Sequence, residues 1–123
     1  MSSDAIDFGL LIRPEIPVRT FKPGETIFKE GDKATELYVI RDGKVEISTG
    51  NRLLDTLEGH SIFGEMALVD GAPRSATAIA ATDVTLVPVS EKQFLFLVSQ
   101  TPYFALKVMR VMAGRLRTAN KAI

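Results

Sequence analysis

Between Val18 and Val89, short β-rich runs alternate with turn residues at intervals of roughly ten, the rhythm of an all-β sandwich or barrel. The runs are "ETIF", "ELYVI", "KVEIS", "RLLDTL", "ATAIAAT" and "VTLVPV". "TFKPGETIF" supplies a Pro-Gly turn and "KEGDKA" a second one. In "YVIRDGKVEI", apolar residues flank Asp42-Gly43, a dipeptide suited to a type I′ hairpin because both central residues take positive φ; the pattern predicts a hairpin there. "VEISTGNRLLDTL" repeats the device around Gly50-Asn51 and predicts a meander.

After Ser90 the period becomes helical. "SEKQFLFLVSQ" opens on a serine N-cap with Glu91 in its first turn, and "TPYFALKVMRVMAGRLRTANKAI" opens on Thr-Pro, a cap followed by a first-turn proline. In this last segment Ala105, Met109, Met112, Leu116, Ala119 and Ile123 recur at heptad-like spacing. A helix of that length reaches roughly 30 Å, far enough to extend past a small barrel. Two readings stay open: packing along its own barrel, or, for Leu116, Ala119 and Ile123, a partner helix or a folded-back lid. Gly114, within the helix, costs roughly 1 kcal/mol against alanine and reads as a hinge, a close helix contact or a tolerated residue.

The 123 residues are 46% apolar and 24% charged, which is globular composition at the size of one domain. Fifteen basic and 15 acidic side chains cancel, so no nucleic-acid-binding charge is present. There is no cysteine, which excludes disulfides and thiolate metal sites. "MSSDAIDFGLLIRPEIP" lacks the basic flank and long apolar core of a signal peptide, and no run is long enough to cross a membrane; a cytoplasmic protein is expected.

"HSIFGEMALVDGAPR" breaks the strand pattern. Gly64 permits close backbone approach, and Glu65 to Val69 suit one short helical turn whose first amides lack intrahelical partners and so attract an anion. Arg74 follows ten residues after Gly64, restrained by Pro73, and a guanidinium matches two phosphate oxygens. Glu65 accepts hydrogen bonds from hydroxyls. Gly64, Ala67, Ala76 and Ala78 let the backbone approach a ligand, with Leu68 and Val69 anchoring the turn. The alternative is an ordinary Glu65–Arg74 surface ion pair worth about 0–1 kcal/mol.

At these residues the chain resembles the cyclic nucleotide-binding domain family, shared by bacterial catabolite activator proteins, regulatory subunits of cyclic-AMP-dependent kinase and cyclic nucleotide-gated channels. The family's phosphate-binding cassette reads approximately F-G-E-[LM]-[AG]-L, a short spacer, then P-R-[SAT]-A-[TS]. This chain carries Phe63-Gly64-Glu65-Met66-Ala67-Leu68 and Pro73-Arg74-Ser75-Ala76-Thr77. "PGETIFKEGD", "LYVIRDGKVEI" and "LEGHSIFGE" are similar to its early strands, so the resemblance spans about residues 18–120.

The resemblance implies a mainly β fold with flanking α: an eight-stranded β-roll, a jelly-roll-like barrel, with an N-terminal helical segment and C-terminal helices. It implies a single domain over 1–123, with the N-terminal segment at 1–17, the roll at 18–89 including the cassette at 63–77, and the helices at 90–123. It implies a non-enzymatic cyclic nucleotide sensor for cAMP, or alternatively cGMP. Arg74 would pair with the exocyclic phosphate oxygens, amides around Met66, Ala67 and Ser75 would complete the anion site, and Glu65 with the Gly64 backbone would take the ribose 2′-hydroxyl. Ala76 belongs to the same set. Serine at position 75 goes with adenine more often than with guanine, and Asn120 would contact the base.

Ligand capture would move the last helix against an effector protein, with a homodimer through Met112, Leu116, Ala119 and Ile123 as a further expectation. With no DNA-reading module, channel span or kinase-inhibitory segment in the sequence, neither nucleic acid nor membrane is an expected partner. A dimeric interaction module that has lost the ligand is the main competing reading, and the intact Gly64, Glu65, Arg74 set argues against it. A metal-dependent cupin would require two or more histidines, and only His60 is present; no metal or catalytic residue is expected.

Overall fold

The structure, a computed structural model, describes residues 15–121, with side chains as far as Thr118. The strands are β1 (Arg19–Phe21), β2 (Thr26–Phe28), β3 (Glu36–Asp42), β4 (Val45–Thr49), β5 (Arg52–Leu57), β6 (Ile62–Phe63), β7 (Thr77–Ala80) and β8 (Val84–Ser90). Helix α1 (Glu65–Asp70) interrupts them, and α2 (Glu91–Gln100) and α3 (Pro102–Lys121) follow. The strands form two antiparallel four-stranded sheets, ordered β1-β8-β3-β6 and β2-β7-β4-β5. They stay separate rather than closing into a barrel. The expected N-terminal helical segment lies almost entirely outside the described residues.

Alternation along β3 and β8 explains the layering. Tyr38 and Ile40, with Val84 and Leu86, face the second sheet and pack with Val45, Leu57, Phe63, Ala78 and Ala80. Leu37 and Val39, with Val87 and Val89, face the opposite way and pack against Phe104, Val108 and Val111 of α3. Successive side chains point to opposite faces of a strand, so a middle sheet covered on both sides requires the continuous apolar run "LYVI". Helices, first sheet and second sheet thus make three layers around two cores.

The Asp42-Gly43 hairpin is not formed. β3 pairs with β6 and β8, β4 pairs with β5 and β7, and the chain crosses from one sheet to the other at Gly43. Only Gly43 of the two residues takes positive φ, 97°, so the turn is not type I′. A Cβ there would stand 2.1 Å from the carbonyl oxygen of Asp83. Gly43→Ala is therefore expected to lower stability by roughly 2–4 kcal/mol, read as a fall in the urea midpoint. The Gly50-Asn51 hairpin is present, joining β4 to β5 with Thr49 opposite Arg52 and Gly50 at φ 58°.

α2 begins with a capping box: the Gln93 amide donates to the Ser90 hydroxyl and the Ser90 amide donates to the Gln93 side chain. α3 runs unbroken past Gly114. Its buried stripe is Phe104, Val108 and Val111, one residue away from the heptad-like seam. Met112 is partly buried, whereas Met109 and Leu116 are exposed. The side chains of Ala119 and Asn120, and all of Ile123, lie outside the described residues.

Candidate functional site

α1 inserts between β6 and β7 and turns the cassette toward a cleft of about 580 Å³. Gly64 caps the helix in the left-handed conformation, φ 80°. A Cβ on Gly64 would lie 2.8 Å from Nη1 of Arg74, so only glycine lets the guanidinium approach this backbone. Gly64, Glu65, Met66, Ala67, Arg74, Ser75 and Ala76 all line the cleft. Ala78 does not: it is fully buried between the sheets. Leu68 anchors α1 on the helix-side core, but Val69 is 54% exposed and anchors nothing.

Arg74 is only 5% exposed. Its backbone is held by two bonds, its amide donating to the Asp32 carbonyl and its carbonyl accepting from the Gly31 amide, each 2.8 Å. Nη1 donates to the Gly64 carbonyl at 2.9 Å and Nη2 to the Glu36 carbonyl at 2.6 Å. The guanidinium carbon stands 4.0 Å over the Phe28 ring. Phe28, Tyr38 and Phe63 form the aromatic floor beneath it, their centroids 5.4–6.1 Å apart. No carboxylate pairs with Arg74 among the described residues, and Nε is buried without a hydrogen bond. Burial pulls the Arg74 guanidinium below its ordinary pKa, with Tyr38 and Glu36 opposing that shift.

Glu65 does not pair with Arg74 either. Its carboxylate, 1% exposed, accepts from Nη1 of Arg115 on α3 at 2.5 Å, and Arg115 also donates to the Ile62 carbonyl. Arg115 continues the buried stripe Phe104, Val108, Val111 at helical spacing, so a cation on an inward-facing register was the available signal in the sequence. Phe28 of the floor also lines the cleft, together with Ile47, Arg52, Leu53, Leu54 and Asp55 and with Met112, Arg115, Leu116 and Thr118 of α3. Sequence reasoning did not anticipate Phe28, Arg115 or the β5 residues. Asn120 falls outside the described side chains.

Tyr38 links the floor to the surface. Its hydroxyl donates to Glu36 Oε1 at 2.8 Å, and Glu36 is paired with Arg19. Burial, reinforced by the Glu36 bond, pushes the Tyr38 phenol up to about 12. The unfolded chain ionises this phenol near pH 10, so the folded state keeps its proton longer. Stability present in full below pH 10 is lost as pH rises to 12, by about 2–3 kcal/mol. The alkaline fall in the urea midpoint is expected to be shallower in Tyr38→Phe.

Among the described residues no group of three or more His, Cys, Asp or Glu could hold a metal ion, and His60 sits in the β5–β6 turn with φ 62°. Among the described residues no helix is long and apolar enough to cross a membrane.

A two-sheet roll with a cassette helix facing a ligand-sized cleft, lined in part by a C-terminal helix, defines the class of protein. The family model of the cyclic nucleotide-binding domain matches residues 18–101. A cyclic AMP receptor protein of Thermus thermophilus is 34% identical over 107 residues, 83% of this chain and 50% of the receptor. The crystal structure of Thermus thermophilus catabolite activator protein superposes with a TM-score of 0.80 at 33% identity, covering 86% of this chain and 52% of that one. The EAL enzyme Bd1971, solved in cAMP-bound and cGMP-bound forms, gives TM-scores of 0.65 and 0.66 at 37% and 35% identity, covering 85% and 86% of this chain and 30% of the enzyme chain. This chain belongs to the cyclic nucleotide-binding domain family. It spans about half or less of the length of each of these relatives.

Proposed function

We propose that the chain is a regulatory module that binds a cyclic nucleotide in the cleft between the cassette and α3. The observation that carries this reading is Arg74, a buried cation with no carboxylate partner among the described residues, lining a ligand-sized cleft. Burying an unpaired charge costs several kcal/mol, and a bound phosphate would offset that cost. Arg74 would take the exocyclic oxygens, with the amides of Met66, Ala67 and Ser75 beside it. Glu65 would accept the ribose 2′-hydroxyl. Because that carboxylate already holds Arg115, ligand capture bears directly on α3, through a coupling of the usual 1–3 kcal/mol.

Titration calorimetry on nucleotide-free protein tests the reading. Cyclic AMP or cyclic GMP should bind with a Kd well below about 100 μM; binding of neither in that range overturns it.

The output would be a protein contact made by α3, whose exposed Leu106, Met109 and Leu116 offer an apolar surface. If that surface joins two copies of the chain, light scattering will report a dimer that Leu116→Glu dissociates, and a monomeric wild type removes this part of the reading.

A further inference from the structure

We propose that Phe28 on β2 is a positioning residue for the bound phosphate: its ring face, in place of a carboxylate, holds the Arg74 guanidinium at the cleft. The inference rests on the cyclic nucleotide reading and extends it to how the anion site is kept ready for its ligand. Phe28 lines the cleft with Arg74, and the guanidinium carbon stands 4.0 Å over its ring, whose electron-rich face attracts a cation. A shift of register puts the ring there. β2 and β7 place Thr26 opposite Ile79 but Phe28 opposite Ala78, one residue short of the Thr77 that regular pairing would give it. Ala78 is fully buried between the sheets, whereas Thr77 belongs to the other face of its strand, so the bulge turns Phe28 inward. Tyr38 stacks on the ring at 25°, with 6.1 Å between centroids, and steadies its plane.

The segment that carries Phe28 grips Arg74 at both ends. Just beyond the ring, the Glu30 amide donates to Thr77 Oγ1 at 3.0 Å, the Gly31 amide donates to the Arg74 carbonyl and the Asp32 carbonyl accepts from the Arg74 amide. The backbone is thereby fixed, and the ring sets the position of the guanidinium. Nη1 and Nη2 each give an N–H to a backbone carbonyl, out of the five N–H groups a guanidinium carries. A carboxylate partner would occupy N–H groups that two phosphate oxygens need, whereas a ring over the planar face occupies none. Without the ring, a cation with no carboxylate partner among the described residues gains by turning toward water, and a phosphate must first draw it back. Base and ribose take no part in this, so the effect is the same for cyclic AMP and cyclic GMP.

Titration calorimetry with cyclic AMP and cyclic GMP compares wild type, Phe28→Leu and protein carrying pentafluorophenylalanine at position 28, which keeps the shape of the ring and reverses the sign of the charge on its face. Both replacements should weaken binding about three- to tenfold, by the same factor for each nucleotide. A ring that only fills space would leave the fluorinated protein at wild-type affinity, and that result overturns the proposal. Urea unfolding without ligand gives a second measurement: Phe28→Leu should lower the midpoint roughly twice as far in wild type as in the Arg74→Leu background, where the ring has no charge to hold. Equal falls in the two backgrounds mean packing alone and overturn the role of Phe28 while the sensor reading stands. Wild type that binds neither nucleotide overturns both.

Discussion

Replacing Arg74 with leucine is expected to abolish cyclic nucleotide binding while leaving the ligand-free fold as stable as before, within about 1 kcal/mol. The two effects have one physical origin. In the ligand-free protein Arg74 gains two bonds to backbone carbonyls and an aromatic face, but no carboxylate among the described residues neutralises it and its Nε is unbonded. Exchanging such a buried cation for an apolar side chain of similar bulk is often neutral or stabilising. With a phosphate present the same cation would make a pair of charge-assisted bonds worth about 1.5–3 kcal/mol each, so their loss weakens binding roughly a hundredfold or more. Calorimetry and urea unfolding on one preparation separate the two. A variant that unfolds before it can be titrated would show that Arg74 serves the fold, whereas one that binds normally would show that the phosphate is held elsewhere.

Arg115→Leu should act in the opposite sense, destabilising the protein even without ligand. Its removal leaves the Glu65 carboxylate buried without its cation, a loss of about 2–3 kcal/mol, below the figure for a fully buried pair because Arg115 retains 23% side-chain exposure. Adding Glu65→Leu to that variant should recover at least about 1 kcal/mol, since the second substitution removes the stranded charge. Strictly additive losses would mean that the ion pair does not hold α1 to α3. Hydrogen exchange gives a second measurement: in Arg115→Leu, amides in the last turns of α3 should exchange faster than in wild type, while those near Phe104 and Val108 should not change.

Much of the cassette was legible because it is local. Phe63 to Leu68 and Pro73 to Thr77 are contiguous, and a glycine cap, a short helix and an arginine ten residues on are properties of chain order. The seven cassette residues expected at the site do line one cleft. The two helices and the Gly50-Asn51 hairpin were equally local, set by Ser90, Pro102 and a glycine in a two-residue turn.

The misreadings share a different character. Asp42-Gly43 has hairpin chemistry, yet β3 pairs with the longer β8 on one side and with β6 on the other, and the turn serves instead to carry the chain between sheets. α3 carries two adjacent apolar stripes, and neither spacing nor composition tells which one meets the middle sheet. The wall made by β5 was invisible as a site because its residues read as an ordinary half-exposed strand.

Chain order by itself determined the family pattern, the succession of strands and helices, and the presence of a carboxylate and a guanidinium in a small-residue loop. Tertiary structure alone decided how those charges are used: Glu65 is joined to Arg115 across fifty residues, and Arg74 to the Glu36 carbonyl across 38. The reason is that hydrogen-bond geometry and burial depend on which distant segments converge. Local sequence sets what each segment can donate, accept or bury, and only packing of the two sheets against α3 brings the segments within reach of one another.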